Sequence, residues 1–403
     1  MTREDWQTGT QRSTPSVDPF PQLCSKVVLL VTEDRFVLSH LRPLIAVLEQ
    51  IAHSVVVVTH TSDRREELEA LGARVVHFDF QHASSNPSRE AAAAWALARI
   101  LEDEGADVVH LVAMRPIVLG ALALKLMPAP HTVVHMPGLD LLGFGARHWA
   151  GLYRLGALRL IASMLRKPSS YLLVETSDDL ARVRAAGLEP GARFAILGGV
   201  GVDPETFPAE PPPVNDVPIA AFVGRVTHSN GLDVLVRALG RLKARSMPIR
   251  IELYGSVEDG GAEAISADIV KSWGVQADVS WFGPVSDVRD VWRRADIFVL
   301  PARSREGMPR ALLEAAACAR PLVVTDVPGC RHFVRDGVEG LVVPPEDAEA
   351  LANALELLAR DPDMRVRMGE AARLRLLQGY TEAHVRRCLL ASYTSMLGNA
   401  RPL

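Results

Sequence analysis

The chain of 403 residues is poor in aromatic side chains, 5% of the total, and carries four cysteines. Scarce aromatics alongside abundant Ala, Val, Leu and Arg fit helices packed on buried parallel strands better than an all-β sandwich. Cys24, Cys318, Cys330 and Cys388 are scattered with no C-x-x-C spacing. No disulfide framework or zinc site is therefore expected, and a reducing cytoplasm is the default compartment. Charge of one sign is also lacking: 44 basic against 48 acidic residues leave a net charge of −4, which gives no support to a nucleic-acid partner. No apolar run approaches the ~18 residues of a membrane span. A G-x-G-x-x-G turn after a first strand, a Walker loop and a G-x-S-x-G elbow are all missing. The D-x-D pattern of metal-dependent transferases occurs at Asp361-Pro362-Asp363, between tail helices, and reads as a helix break. Nothing in the sequence requires a metal.

What is present is an ordinary globular balance, 48% hydrophobic and 23% charged, and a length that corresponds to two or three domains of about 150 residues. Residues 1–25, rich in Thr, Ser, Gln and Pro without an apolar signal core, are expected to form a disordered leader. Short β-branched runs then alternate with helical spacing: strands are expected at 27–31, 55–59, 74–78, 108–112, 132–135, 171–174 and 194–197, with helices such as 41–51 and 89–102 between them. Such alternation implies parallel strands joined by right-handed crossovers. The run Pro208-Ala209-Glu210-Pro211-Pro212-Pro213 can continue neither helix nor central strand and is taken as a linker, 208–217. The alternation restarts after it, with strands expected at 219–223, 250–254, 279–282, 297–300 and 322–325, and a helical tail from Glu346. The expected domains are 26–207, 218–378 and a crossover helix, 379–403. Two α/β halves around one linker suggest two facing sheets, with a ligand cleft beyond the carboxyl ends of the strands.

The most informative stretch is LPARSREGMPRALLEAAACARPLVVTDVPGCRHFV, 300–334. A strand ends near Leu300, a loop carries Arg305, Glu306 and Gly307, and a helix starts near Pro309, where proline suits the first turn. Amides at that helix start can receive a phosphate. Glu306 and Glu314 lie eight residues apart and can address one ligand. Carboxylates hold sugar and ribose hydroxyls by accepting two hydrogen bonds without a metal. Earlier, Gly224-Arg225-Val226-Thr227-His228-Ser229-Asn230-Gly231 joins a strand to a helix and could present Arg225 to a diphosphate. Asn230 can equally be a plain helix N-cap. Ser39 and His40 follow the first strand; Ser39 is a plausible N-cap of a helix opening there, and His40 could line the cleft or pack. His110 and His135 end further strands and invite the same two readings. Between 141 and 174 no acidic residue occurs, while Arg147, Arg154, Arg159, Arg166 and Lys167 are interleaved with Trp149 and Tyr153. This reads either as a helix with a solvated basic side or as a surface for anionic lipid.

These motifs carry a resemblance. The second half resembles the retaining nucleotide-sugar glycosyltransferases of family 4, of the GT-B fold, whose E-x7-E motif corresponds to Glu306 through Glu314. "REGMPRALLEAAA", "TDVPGCR", "VEGLVVPPEDAEALANAL" and "YTEAHV" extend the match. In the first half, "VTEDRFVLSHLRPL", "SSNPSRE", "VVHLVAMRP" and "GGVGVDPETF" are similar to one branch, whose enzymes act on undecaprenyl-diphosphate-linked glycans and surface polysaccharide precursors.

The resemblance implies two Rossmann-like domains facing across a cleft, with C-terminal helices bracing back onto the first. It implies that Glu306 faces the donor sugar, that Glu314 holds the nucleotide ribose, and that amides at Gly307 and Met308 touch sugar or phosphate. Arg225 would stabilise the departing diphosphate, and Gly224, Asn230 and Val285 fall on the donor side. Ser39, His40, His110 and Gly138 fall on the acceptor or cleft side. The sequence departs from the family at Asn230, where a lysine is usual, and at Asp140, where the branch favours a Gly-Leu-Gly turn. The implied reaction is metal-independent hexosyl or N-acetylhexosaminyl transfer with retention, from a UDP- or GDP-sugar to a glycan or polyprenyl-diphosphate-linked acceptor. No cofactor is implied, since the nucleotide sugar is a substrate. Membrane contact through 147–167 is expected, at the inner face of the cell membrane. Two other readings stay open: a nucleotide-sugar epimerase of the same architecture, and a catalytically weak scaffold suggested by Asn230.

Overall fold

A computed structural model describes residues 22–80, 87–127, 130–137, 150–257, 264–277, 279–303 and 307–398. Among them, thirteen strands form two wholly parallel sheets. The first holds β1 (Cys24–Glu33), β2 (Ala52–His60), β3 (Arg74–His77), β4 (Val108–Val112), β5 (His131–Met136), β6 (Ser170–Val174) and β7 (Phe194–Ile196), in the order β3-β2-β1-β4-β5-β6-β7. The second holds β8 (Ile219–Val223), β9 (Arg250–Tyr254), β10 (Val279–Gly283), β11 (Ile297–Leu300), β12 (Leu322–Thr325) and β13 (Gly340–Val343), in the order β10-β9-β8-β11-β12-β13.

Helices cover both faces of each sheet, so the central strands are buried on both sides and read as unbroken apolar runs such as Val27-Val28-Leu29-Leu30-Val31. Side chains alternate between the faces, which is why Val28 and Leu30 join one core of the first domain while Val27 and Leu29 join the other. The expected strands are all present. β13 is an addition: opened by Gly340, it leaves an apolar run of only three residues, 341–343, and pairing with β12 makes it a strand. β1 begins at Cys24, and the Leu23 N–H donates to the Ile51 carbonyl, so the sheet takes in residues 24 and 25 of the expected leader; residues 1–21 lie outside the described residues.

In both sheets the strand order reverses beside the first strand of the domain, between β1 and β4 and between β8 and β11. Such reversals open a crevice at the carboxyl ends of the strands. Contacts across the cleft bring the two carboxyl ends together: Arg331 pairs with Asp178 at 3.5 Å, and Ser177 Oγ lies 3.4 Å from His332 Nδ1. The chain passes back beside Val202, which bridges to Thr381. Thr381 caps the helix Glu382–Leu397, whose Val385, Leu389 and Tyr393 complete a core of the first domain. The preceding helix, Pro362–Gly379, is capped by Asp361 and packs Met368, Ala372 and Leu376 into the second domain, so Asp361-Pro362-Asp363 is a helix junction.

Candidate active site

On the second domain, β8 runs into the loop from Gly224 to Gly231. Gly231 has φ +67°, and a Cβ there would lie 2.0 Å from the Pro301 carbonyl oxygen. Only glycine allows this approach, which seats the loop against the end of β11. Gly231, not Asn230, is the N-cap of the helix Leu232–Ala244. Asn230 instead lies in a short 3-10 turn, His228–Asn230, and is buried; its Nδ2 donates to the Arg225 carbonyl at 2.8 Å. The capping expectation fails because glycine takes the left-handed cap position and leaves the amide side chain to close the loop. Arg225 itself is exposed beside the cleft. The loop is also tied from behind by Arg303, whose backbone N–H donates to the Ser229 carbonyl at 2.7 Å and whose guanidinium bonds the His228 carbonyl and Asp233.

Pro309 precedes the helix Arg310–Ala317, and Glu314 is buried within it. Arg310 Nε donates to Glu314 Oε1 at 2.8 Å. Burial raises the Glu314 carboxyl above its usual range, opposed by the Arg310 charge. The other end of the Arg310 guanidinium bonds the Ser39 carbonyl of the first domain. The Met308 N–H likewise crosses the cleft, donating to Glu175 Oε2 at 2.8 Å. Gly307 lies in the same turn, whereas Glu306 and Gly138 lie outside the described residues. Val285 is exposed in the loop after β10, the edge strand of its sheet.

On the first domain, Ser39 does not open a helix. It sits in the last turn of Asp34–His40, donating its Oγ to the Arg35 carbonyl at 2.7 Å, and the next helix begins at Arg42 with Pro43 in its first turn. The helix starts earlier because Asp34, directly after β1, is buried with its carboxylate satisfied by the Ser62 N–H and hydroxyl. His40 is half-buried and stacks on Phe36 with centroids 4.7 Å apart. Burial first, then the charges of Arg310 and Arg225, push its pKa down to about 4, so it is neutral at pH 7. Of the two, Arg310 reaches the residue beside His40, bonding the Ser39 carbonyl across the cleft.

His110 is not on the cleft wall. It is fully buried, with Nδ1 2.6 Å from the Tyr393 hydroxyl and Nε2 3.4 Å from His135 Nδ1. Being central in β4, which is buried on both faces, it points inward and serves to anchor the crossover helix. His135 borders a small cavity under the cleft, together with His40, Glu175 and Gly199. Sequence reasoning missed Glu175, Arg303 and Arg310. Arg310 lies inside the E-x7-E stretch, and an acidic residue directly after an apolar strand was the available signal for Glu175.

The fold and cleft define a two-domain protein of the GT-B class. Residues 39–198 match the family model described as a glycosyl transferase 4-like domain, and residues 203–375 match glycosyl transferases group 1. The chain belongs to this family of glycosyltransferases and is a glycosyltransferase. It is 24% identical over 89% of its length to 95% of an N,N'-diacetylbacillosaminyl-diphospho-undecaprenol alpha-1,3-N-acetylgalactosaminyltransferase of Campylobacter jejuni. It is 29% identical over 72% of its length to 79% of an alpha-maltose-1-phosphate synthase of Mycolicibacterium smegmatis. Among solved structures, sucrose-phosphate synthase of Thermosynechococcus elongatus superposes with TM-score 0.74 at 17% identity, covering 93% of this chain and all, 100%, of that one. HepE of Anabaena, in complex with UDP and glucose, gives 0.72 at 17% identity over 92% of this chain and 100% of that one.

Proposed function

We propose that the protein transfers a sugar, with retention, from a nucleotide sugar held by the second domain to a polyprenyl-diphosphate-linked glycan held by the first. The observation that carries this reading is Arg310, which bonds Glu314 within its own helix and the Ser39 carbonyl of the first domain across the cleft. Positive charge at the cleft suits a diphosphate leaving group, whose growing charge is the main demand of the transition state. Buried Glu314 would accept from the ribose hydroxyls, displacing Arg310 in part, and Glu306 would face the sugar. Gly224, Asn230 and Gly307 shape the loops around the diphosphate. No cofactor or metal enters this reaction, and the acceptor proton would leave through the departing phosphate.

The acceptor class follows the Campylobacter relative, which covers almost the whole chain. A membrane-bound acceptor calls for a surface that meets lipid. The helix Ala150–Leu165 exposes Leu155 and Arg159, and Arg166, Lys125 and Leu126 lie exposed around it. Such a mixed basic and apolar face suits an anionic leaflet, and we place the enzyme at the inner face of the cell membrane. Among the described residues no helix is long and apolar enough to cross a membrane.

The test combines thermal stabilisation by UDP, GDP and ADP with product analysis for the matching nucleotide sugars. A ligand at 100 times its Kd adds about 2.7 kcal/mol. One nucleotide should stabilise the wild type and not Arg225→Ala, and sugar should move only when acceptor is supplied. An isomerised nucleotide sugar without acceptor would indicate an epimerase. No stabilisation by any nucleotide would indicate a scaffold.

A further inference from the structure

We propose that Glu175 is a positioning residue for sugar transfer: from the first domain, its carboxylate holds the Met308 amide and sets the donor loop of the second domain only when the cleft is closed. The inference rests on the donor site proposed above and adds a residue to it.

Glu175 directly follows β6, and its backbone is fixed on both sides. Its carbonyl accepts from the Gly198 N–H at 2.9 Å, and its neighbour Thr176 forms a capping box with Asp179 on the helix Ser177–Ala185. The backbone therefore cannot follow the side chain's partner, and the carboxylate stands as a fixed post at the cleft floor. It is 5% exposed, and its Oε2 accepts the Met308 N–H at 2.8 Å. A second contact arrives independently. Gly199 has φ +94°, and a Cβ on it would lie 2.7 Å from Met308 Cβ, so the first domain's backbone lies directly against that side chain. Met308, itself buried, is thus gripped at its amide by Glu175 and at its side chain by the turn at Gly199.

Met308 immediately precedes Pro309, the cap of the helix that carries Arg310 and Glu314. Holding it fixes where that helix begins and where the turn at Gly307 points. Opening the cleft removes the acceptor, because Glu175 belongs to the other domain. A buried carboxylate costs free energy unless a donor satisfies it, so the contact has a strong preference to be made. The Met308 amide is thereby committed to the first domain rather than to the donor, which shifts the family-implied amide role toward Gly307. The transfer geometry becomes conditional on closure, through one buried hydrogen bond.

Hydrogen exchange with mass spectrometry on the full chain tests this without reference to any substrate. In Glu175→Ala, exchange in peptides that report the Met308 amide should rise about 5- to 100-fold, the cost of leaving a buried donor without its acceptor. Peptides from β11 and β12 should stay protected. Glu175→Gln keeps an accepting oxygen and should restore protection. Gly199→Ala should reproduce the Glu175→Ala pattern with the carboxylate intact. In the transfer assay, Glu175→Ala should lower kcat at least tenfold while UDP or GDP binding changes less than about twofold, and Glu175→Gln should recover most of kcat. Unchanged exchange in Glu175→Ala, or a uniform rise across both sheets, would overturn the proposal. So would a loss that falls wholly on nucleotide binding. If exchange responds as expected but the wild type moves no sugar from any donor, the cross-domain contact stands and the transfer role falls with the donor reading.

Discussion

Removing the Asn230 side chain is the sharpest perturbation of the donor loop. Asn230 is 6% exposed, and its amide gives the Arg225 carbonyl a hydrogen bond of 2.8 Å across the loop. Asn230→Ala removes that bond, a net cost of about 0.5–1.5 kcal/mol. Gly231 and the Arg303 contacts keep the far side of the loop in place, so the loss concentrates at Arg225. The expected result is a fall in stability of about 1 kcal/mol and a roughly tenfold weaker hold on the nucleoside diphosphate. A double-mutant cycle measures the mechanism. If Asn230 acts by holding Arg225, then Asn230→Ala in an Arg225→Ala background should cost less than about 0.5 kcal/mol more in nucleotide binding. Urea unfolding and calorimetric titration of UDP or GDP give both quantities. Full additivity in the cycle would refute the reasoning, because Asn230 would then act on the ligand by itself.

Other outcomes follow from the same geometry. Gly231→Ala must adopt φ +67° and move a Cβ that would lie 2.0 Å from the Pro301 carbonyl, so it should lose at least about 2 kcal/mol in urea unfolding. Arg310→Ala leaves Glu314 buried without its guanidinium; since the Arg310 side chain is 39% exposed, the expected loss is about 1–2 kcal/mol rather than that of a fully buried pair. Tyr393→Phe strands His110 Nδ1 and should cost about 1–3 kcal/mol, read by urea unfolding at pH 7. Burial lowers His135 to about 4 and His110 well below the ordinary 6.5, so both fold neutral. The unfolded chain takes up their protons first, and stability should therefore fall as pH drops from about 6.5 toward about 4, by about 1.4 kcal/mol per unit for each histidine. Burial acts in the opposite sense on Glu175, raising it to about 7 from 4.5, so its contribution is present below 4.5 and is lost as pH rises through about 7. Glu175→Gln should remove that slope from the unfolding curve.

Sequence alone determined the class of architecture, because its signals are local. Buried parallel strands must be apolar on both faces, so runs such as 27–31 and 297–300 announce themselves, and helical spacing between them forces crossovers. Pro309 was legible for the same reason, since its fit to a helix start is a property of the residue; the left-handed cap at Gly231 was not, because Asn230 beside it offered a cap as well. Short β13 escaped because it opens on a glycine and leaves Leu341 and Val342 only half-buried, so its apolar signal is weaker than that of the equally short β11 and β12. What only the tertiary structure decided was partnership. His110 stands at a strand end in the sequence but turns inward, because Tyr393, 283 residues later, arrives on the crossover helix to meet it. Ser39 looked like a cap and is a helix end, since the helix already starts at Asp34, whose buried carboxylate is held by Ser62 on another segment. Asn230 looked like a missing charge or a cap and is a loop clasp. Glu175 and Arg310 gain their meaning from closure of the cleft, where a carboxylate and a backbone carbonyl of one domain meet an amide and a guanidinium of the other. A linear pattern encodes which face a residue buries; which group waits there depends on how distant segments pack.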